Sequence, residues 1–283
     1  MPDEARARGR VTVIRAAGLS PVDLAGQLRH LLDYTDLLRT LSVHRINVRY
    51  RQTVLGIAWA VLQPLLMMTI FALVFSRLAR IPSEGAPYAL FAYAALLPWT
   101  CFSNAVTNAT GSLVSHTNLI TKVYFPREIL PLTYVAAAFF DFAIGLVVLG
   151  ALMAWFDVSL TPVAFVLLPV IAILAAWSLA VSLALSALQV RWRDIGVALP
   201  VVMQLGMFVS PVIYPLGVVP AAWRPAYLLN PMAGIIQSFR DILLRGQMPE
   251  FAPLAVAAVV TALELPAAYL AFKRTEATMA DVV

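Results

Sequence analysis

Six apolar stretches dominate the sequence and limit the folds that are open to it. Each has roughly 20 residues or more, which is the length that a helix needs to cross the hydrocarbon core of a bilayer. They cover residues 54–76, 88–107, 129–155, 163–190, 195–214 and 251–272. Only 12% of the 283 residues are charged, against about 25% in a typical soluble domain. The sequence therefore predicts an all-α polytopic membrane protein with six transmembrane helices.

Basic residues beside the apolar stretches predict the topology. Because loops rich in lysine and arginine stay in the cytoplasm, the side with more of them is the inner side. The N-terminal side holds ten: Arg39, Arg45, Arg49, Arg51, Lys122, Arg127, Arg191, Arg193, Lys273 and Arg274. The other side holds five: Arg77, Arg80, Arg224, Arg240 and Arg245. We expect both termini in the cytoplasm, and we attribute the net charge of +5 to topology, with no role in binding nucleic acid.

The N-terminal segment, residues 1–52, contains no apolar core of the signal-peptide type and is predicted to be cytoplasmic. Its leucines recur at helical spacing with charged residues between them, at Leu24, Leu28, Leu31, Leu38 and Leu41. This pattern predicts an amphipathic helix, which either lies in the membrane interface or packs on a protein partner. Residues 53–283 form the predicted transmembrane domain.

A short segment between the second and third apolar stretches has the properties of a docking element. Pro126 and Pro131 would kink or break a helix that contained them, because proline lacks a backbone donor and clashes with the preceding turn. Residues 116–125 are therefore predicted to form a short independent helix, and residues 126–132 the kinked start of the third span. A compact cytoplasmic helix held between two spans is a part on which another protein can push.

Residues 215–250 are too long for a simple turn and too apolar for a soluble loop. Several prolines and glycines interrupt the segment before an apolar helical pattern at residues 235–244. We interpret it as two short helices that re-enter the outer leaflet, where irregular backbone survives only if it is buried in protein or lines a wet cavity. The alternative is an ordinary extracellular cap helix.

The sequence lacks the patterns of an enzyme. Neither lysine, Lys122 or Lys273, follows the glycine-rich loop that a phosphate-binding site requires. The histidines, His30, His44 and His116, have no partners at metal-ligand spacing. We expect no catalytic residue, no metal site and no cofactor bound by this chain.

Two acidic residues lie within predicted spans, Asp141 in the third and Glu264 in the last. A charge at the centre of a bilayer costs about 3 kcal/mol or more, so such groups usually face protein or water. Asp141 is either a proton-coupling or gating group, or a carboxyl that hydrogen-bonds to a neighbouring helix, and we favour the second. Glu264 lies nearer the cytoplasmic end and can reach the interface.

Four stretches of the chain resemble the ABC-2 type permeases that export polysaccharides such as O-antigen, capsule and teichoic acid. They are VRYRQTVLGIAWAVLQPL at 48–65, NLITKVYFPREILPL at 118–132, RDIGVALPVVMQLGMFVSPVIYP at 193–215 and LNPMAGIIQSFRDIL at 229–243. The resemblance runs from about residue 30 to the end of the chain. It implies a permease homodimer in the bacterial inner membrane, with two copies of a nucleotide-binding subunit that holds ATP and Mg²⁺. The implied cargo is a lipid-linked glycan.

The resemblance also assigns roles to particular segments. It implies an N-terminal interface helix at about residues 31–45 and re-entrant outer helices at residues 220–244. The implied coupling helix consists of Asn118, Leu119, Ile120, Thr121, Lys122, Val123, Tyr124 and Phe125. The family's channel is formed largely by the first and fifth spans, which makes Phe71, Phe75, Phe208 and Tyr214 the candidates for the glycan path.

Three other functions remain as alternatives. An ABC-2 exporter of drugs or small lipids shares the predicted fold but not the polysaccharide-exporter stretches. An integral-membrane glycosyltransferase requires acidic clusters in a long loop for a metal and a nucleotide sugar, which this chain lacks. A secondary carrier predicts internal repeats with broken central helices, and no such repeat is evident.

Overall fold

The computed structural model describes residues 26, 31–51, 55–78, 83 and 85–282. The expectations for Leu24, Leu28, Arg80 and the first 20 residues lie outside this part of the chain. Within it, every regular element is a helix and no strand occurs, which confirms the predicted all-α class.

Eleven α-helices are numbered here in chain order within the described residues. They are α1 Thr35–Arg51, α2 Ala58–Phe71, α3 Tyr88–Thr110, α4 Ser112–Ser115, α5 Thr117–Lys122, α6 Ile129–Trp155, α7 Leu167–Arg191, α8 Asp194–Val209, α9 Arg224–Leu228, α10 Pro231–Leu243 and α11 Phe251–Val282. A π-helical segment, Ala72–Leu78, continues α2, and short 3-10 helices, Pro162–Val166 and Leu216–Val218, precede α7 and α9.

Five of the described helical segments are long and apolar enough to cross a membrane. They are Ala58–Ser76, Tyr88–Thr110, Ile129–Trp155, Pro162–Arg191 and Phe251–Glu276. The predicted fifth span, residues 195–214, forms only the 16-residue helix α8. The helix ends there because Ser210 precedes Pro211, and the residue before a proline is disfavoured in the helical conformation. Ser210 is accordingly extended, with φ −93° and ψ 153°.

Helix α3 occupies the centre of the bundle. Most of its side chains are buried, and it contacts α2, α6, α7, α8 and α10. Because α3 meets protein on most sides, most of its surface is kept away from lipid. Helices α2 and α8 lie at the periphery. Among their side chains only Phe71, Leu199 and Met203 are buried.

Helix α10 is buried along its whole length between α3, α7 and α11. Its approach to α11 requires glycine at position 234, because a Cβ there would lie 2.3 Å from the carbonyl oxygen of Pro253. Asn230 caps its first turn by accepting a hydrogen bond from the backbone amide of Met232 at 3.1 Å. The side-chain NH2 group of Asn230 donates to the Ser210 hydroxyl at 2.9 Å, so the start of α10 is joined to the residue that follows α8.

Candidate coupling site

The candidate coupling segment, residues 117–125, is partly helical. Helix α5 ends at Lys122, and Val123 is extended with φ −128° and ψ 134°. The sequence-based prediction of a helix to Phe125 is therefore too long by three residues. Two causes act together: the residue before Pro126 avoids the helical conformation, and the β-branched and aromatic residues at 123–125 are weak helix formers.

The segment has one buried and one exposed face. Ile120 and Phe125 are 6% and 5% exposed, and they pack with Leu113, Ile129 and other residues of α6, α7 and α11. We call this apolar group the cytoplasmic cluster, after the side of the membrane on which the sequence predicts the coupling segment to lie. Its further buried members are Leu130, Ala180, Leu183, Ala187, Val190, Ala268, Tyr269, Phe272 and Met279.

The opposite face is open to a partner. Val123 is 53% exposed and Tyr124 67% exposed, and three polar side chains beside them, Asn118, Thr121 and Lys122, are also exposed. Exposed apolar and aromatic side chains rimmed by polar ones are typical of a protein contact. We call the group Asn118, Thr121, Lys122, Val123 and Tyr124 the coupling surface.

A charged network joins the end of the coupling segment to the last helix. Glu128 is 2% exposed, and its carboxylate lies 2.8 Å from the ammonium group of Lys273 on α11. Tyr269 donates to the same carboxylate at 3.2 Å. Lys273 also meets Glu276 at 2.8 Å, and Arg127 donates to Glu276 through its backbone amide and its guanidinium. A movement of the coupling segment therefore acts on α6 and on α11 together.

Helix α1 packs along the N-terminal half of α6. The guanidinium of Arg45 lies 4.2 Å from the centre of the Tyr134 ring, which is the geometry of a cation–π contact. One turn further along, Arg49 forms an ion pair of 2.7 Å with Asp141. Leu31, Leu37 and Leu41 pack against the cytoplasmic cluster. The predicted amphipathic helix thus has a packing partner within its own chain.

The two acidic residues of the predicted spans differ in their surroundings. Asp141 accepts hydrogen bonds from Arg49 and from the hydroxyl of Tyr50, and its side chain is 15% exposed. Burial raises the pKa of Tyr50, and its hydrogen bond to Asp141 raises it further, so Tyr50 donates as a neutral phenol. Glu264 is exposed on α11 and has no hydrogen bond or ion pair with any residue that the structure describes.

The four aromatic candidates for the glycan path form two pairs. Phe71 and Phe75 pack edge to face with ring centres 5.5 Å apart, and Phe71 is only 7% exposed within the core. Phe208 is 50% exposed, and its carbonyl accepts a hydrogen bond from the Tyr214 hydroxyl at 2.8 Å. The Phe208 side chain is therefore accessible at the surface, whereas the Phe71 side chain is largely buried.

Arg240 is the most deeply buried charged residue of α10, at 1% exposure. Its guanidinium donates to the carbonyls of Pro211, Val212 and Tyr214 at 2.7, 2.8 and 3.2 Å, and more weakly to that of Phe91 at 3.4 Å. It also lies over the Phe91 ring at 3.5 Å. The topology prediction counts Arg240 among the outer charges. That use is wrong, because a residue buried in the bundle does not mark a loop.

Sequence reasoning did not assign roles to Glu128, Arg49, Tyr50 and Arg240. The role of Arg240 could have been predicted, because a single arginine within the apolar helical pattern at 235–244 indicates a buried side chain that donates hydrogen bonds. The partners of Glu128 and Asp141 are 145 and 92 residues away in the chain, so no local pattern identifies them.

Comparisons with known proteins identify the family of the chain. A family model described as ABC-2 type transporter matches residues 36–244. The O-antigen export system permease protein RfbA of Myxococcus xanthus is 31% identical over 264 residues, which cover 90% of this chain and 98% of that protein. An O-antigen export system permease protein RfbA of Klebsiella pneumoniae is 28% identical, covering 78% of this chain and 86% of its own. The polysialic acid transport protein KpsM of Escherichia coli is 21% identical, with 81% and 89% covered.

Proposed function

Because the chain belongs to the ABC-2 type transporter family, we propose that it is the permease subunit of an ATP-driven exporter of a lipid-linked polysaccharide of the O-antigen type. One observation carries the choice of cargo: the relative that matches along 98% of its own length is an O-antigen export permease. Members of this family are transport permeases and not enzymes, and the ATPase is a separate subunit. ATP and Mg²⁺ are assigned to that partner, present in two copies.

The coupling surface is the proposed docking site for the nucleotide-binding subunit. Val123 and Tyr124 supply the exposed apolar contact, and Lys122 supplies charge at its edge. Ile120 and Phe125, on the opposite face, hold the segment on the cytoplasmic cluster. A push on the exposed face is thus passed to tightly packed helices, because well-packed side chains transmit displacement instead of absorbing it.

The proposed topology has six spans, with α8 as the fifth and both termini in the cytoplasm of a bacterial cell whose inner membrane holds the protein. Helix α1 takes the position of the interface helix, and α9 and α10 take the positions of re-entrant outer helices. The full burial of α10 supports its placement at membrane depth, since polar groups there must find partners within the protein.

A homodimer is proposed to form through the peripheral helices. Helices α2 and α8 carry large exposed apolar side chains, including Leu66, Ile70, Leu205 and Phe208. A second copy meeting these faces would enclose a passage beside α8. Phe208 and Tyr214 line it in this proposal, and Phe75 lies at its edge on the π-helical end of α2, where Phe71 supports it from behind.

The test is a charge placed on the coupling surface. In the complex reconstituted with its nucleotide-binding subunit, Val123→Asp should abolish polysaccharide export and the ATP hydrolysis that the permease stimulates, while membrane insertion stays normal. Val123→Thr has nearly the same shape without the charge and is the matched control. Ile120→Asp should instead lower the yield of folded protein, because Ile120 is buried.

Two results would contradict separate parts of the proposal. Normal export by Val123→Asp would show that the partner docks elsewhere. A wild-type complex that hydrolyses ATP and moves small lipids but no polysaccharide would overturn the assigned cargo and favour the small-lipid exporter.

A further inference from the structure

A polar groove runs between α2, α3 and α6 on the inner side of the bundle. Two adjoining cavities of about 50 and 140 Å³ compose it, and Gln63, Pro64, Thr100 and Asn104 line both. Met207 of α8 closes one end of the larger cavity. We call the two cavities together the α2–α3 groove.

The groove holds polar side chains whose hydrogen bonds are not made within the protein. Gln63, Thr100, Ser103 and Asn104 face it, and none of these side chains has a hydrogen-bond partner among the residues described. Gln63 lies five residues inside the start of α2, and Asn104 six residues inside the end of α3. At about 1.5 Å per residue these positions are roughly 8–9 Å within their helices. Polar groups at such depth must meet water or a ligand, because lipid offers them no partner.

The groove is large enough to hold either water or part of a ligand. One buried water needs roughly 10–15 Å³ of such space, so the larger cavity of about 140 Å³ accommodates several waters or the hydroxyl groups that replace them. Displacing ordered water is favourable only when the ligand reproduces its hydrogen bonds. A ligand that is rich in hydroxyl groups does so.

Two indole rings complete the lining. Trp59 lies beside the smaller cavity and is 45% exposed, and Trp99 lines the larger one. Aromatic faces pack against apolar faces of a ligand, and amide and hydroxyl groups both donate and accept hydrogen bonds. This combination matches a sugar ring, which has apolar C–H faces and a rim of hydroxyls.

The charges at the groove indicate the kind of sugar. Its lining residues include one cation, Arg49, and one anion, Asp141, and these pair with each other at 2.7 Å. No lysine lines either cavity. A phosphate or a carboxylate would have to break the existing ion pair to find a counter-charge, whereas an uncharged sugar would not.

We propose that the α2–α3 groove is a sugar-binding subsite that takes an uncharged, hydroxyl-rich part of the exported glycan. The proposal rests on the proposed export function and adds to it a second contact, separate from the aromatic residues at the outer end of α8. The groove holds the sugar on the cytoplasmic side of the bundle, and Gln63 and Asn104 are its specificity-determining residues.

The experiment compares three apolar substitutions in cells that lack the native gene and carry the variant. Gln63→Leu and Asn104→Leu preserve size and suit a membrane helix, so the protein should insert normally. One neutral hydrogen bond is worth about a fivefold change in an equilibrium constant. Each variant should therefore export surface polysaccharide about fivefold more slowly. Asn108→Leu is the matched control, because Asn108 lies on the same helix but outside the groove and its amide bonds to a backbone carbonyl. It should export normally.

Each outcome is decisive. Wild-type export rates in Gln63→Leu and Asn104→Leu would overturn the subsite and leave the export function standing. Absence of polysaccharide export by the wild-type protein would instead overturn the export function.

A labelling experiment covers variants that fail to assemble. Cys101 is the chain's single cysteine, so Cys101→Ala provides a background into which Gln63→Cys is introduced. A hydrophilic maleimide should modify this cysteine, and more slowly when the lipid-linked glycan of the host strain is present. A cysteine that does not react with the maleimide would show that water does not enter the groove. A modification rate that the glycan does not change would show that the glycan does not bind there. Either result overturns the proposal.

Discussion

Replacing Arg240 with methionine is expected to destabilise the end of the bundle that holds α10 by about 3–5 kcal/mol. Three of its hydrogen bonds are 3.2 Å or shorter and end on the carbonyls of residues 211, 212 and 214. Methionine cannot donate, and each buried carbonyl left without its donor costs about 1–3 kcal/mol, so the three together cost roughly 3–9 kcal/mol. Burying the guanidinium costs several kcal/mol, which reduces the net loss to the expected range.

The assay is unfolding of the purified protein in mixed micelles, titrated with a denaturing detergent and followed by tryptophan fluorescence. Arg224→Met is the matched control. Arg224 also donates to two backbone carbonyls of the outer segment, those of Val219 and Gly217, at 3.2 Å each, but it is exposed. Because water replaces its bonds, this control should cost about 1 kcal/mol or less. Equal effects of the two substitutions would refute the reasoning that burial gives Arg240 its importance.

Three further predictions concern the cytoplasmic half and the passage. The Asp141→Asn protein should fold and export, with a loss of stability of about 1 kcal/mol. The amide oxygen still accepts one hydrogen bond, and the half-exposed Arg49 can be hydrated. Loss of export from a normally assembled protein would favour a gating role for Asp141. Lys273→Met alone should cost about 3–5 kcal/mol by leaving the buried Glu128 carboxylate without its partner, and adding Glu128→Gln should restore part of the stability and export, because that buried negative charge is then removed; thermal unfolding and export assays of all four forms measure this, and no recovery in the double variant would argue against a direct pair. Phe208→Ala should slow export of long chains without affecting assembly, as judged from the length distribution of surface polysaccharide, and an unchanged distribution would remove it from the path.

The apolar stretches made much of the helical architecture predictable. Length and composition identify spans because a bilayer demands about 20 apolar residues per helix, and the structure has five helices of that kind among the described residues. Pro126 correctly indicated a break, whereas Pro211 lies inside the predicted span 195–214, and the end of the helix before it was not predicted. The family resemblance, drawn from four short stretches, is confirmed by the family match over residues 36–244.

Side-chain orientation and long-range pairing were not predictable from the sequence. Ile120 and Val123 are both β-branched residues of one short segment, yet one is buried and the other exposed, because α5 is too short to show a helical period. The partner of Asp141 is Arg49 of α1. The leucine pattern predicts this helix, but it does not predict which helix α1 packs against. Arg240 was read as a loop charge because a count of basic residues does not distinguish a hydrated arginine from one bound to carbonyls.

The early end of α8 alters the barrier that a polar polymer faces. At about 1.5 Å per residue a 16-residue helix is roughly 24 Å long, whereas the hydrocarbon core is about 30 Å thick. In the proposed six-span arrangement, lipid beside this short helix thins to match it, and the insulating layer along this flank of the protein would be reduced by about a fifth. Sugars travelling past α8 would regain water sooner than they would beside any full-length helix of the bundle.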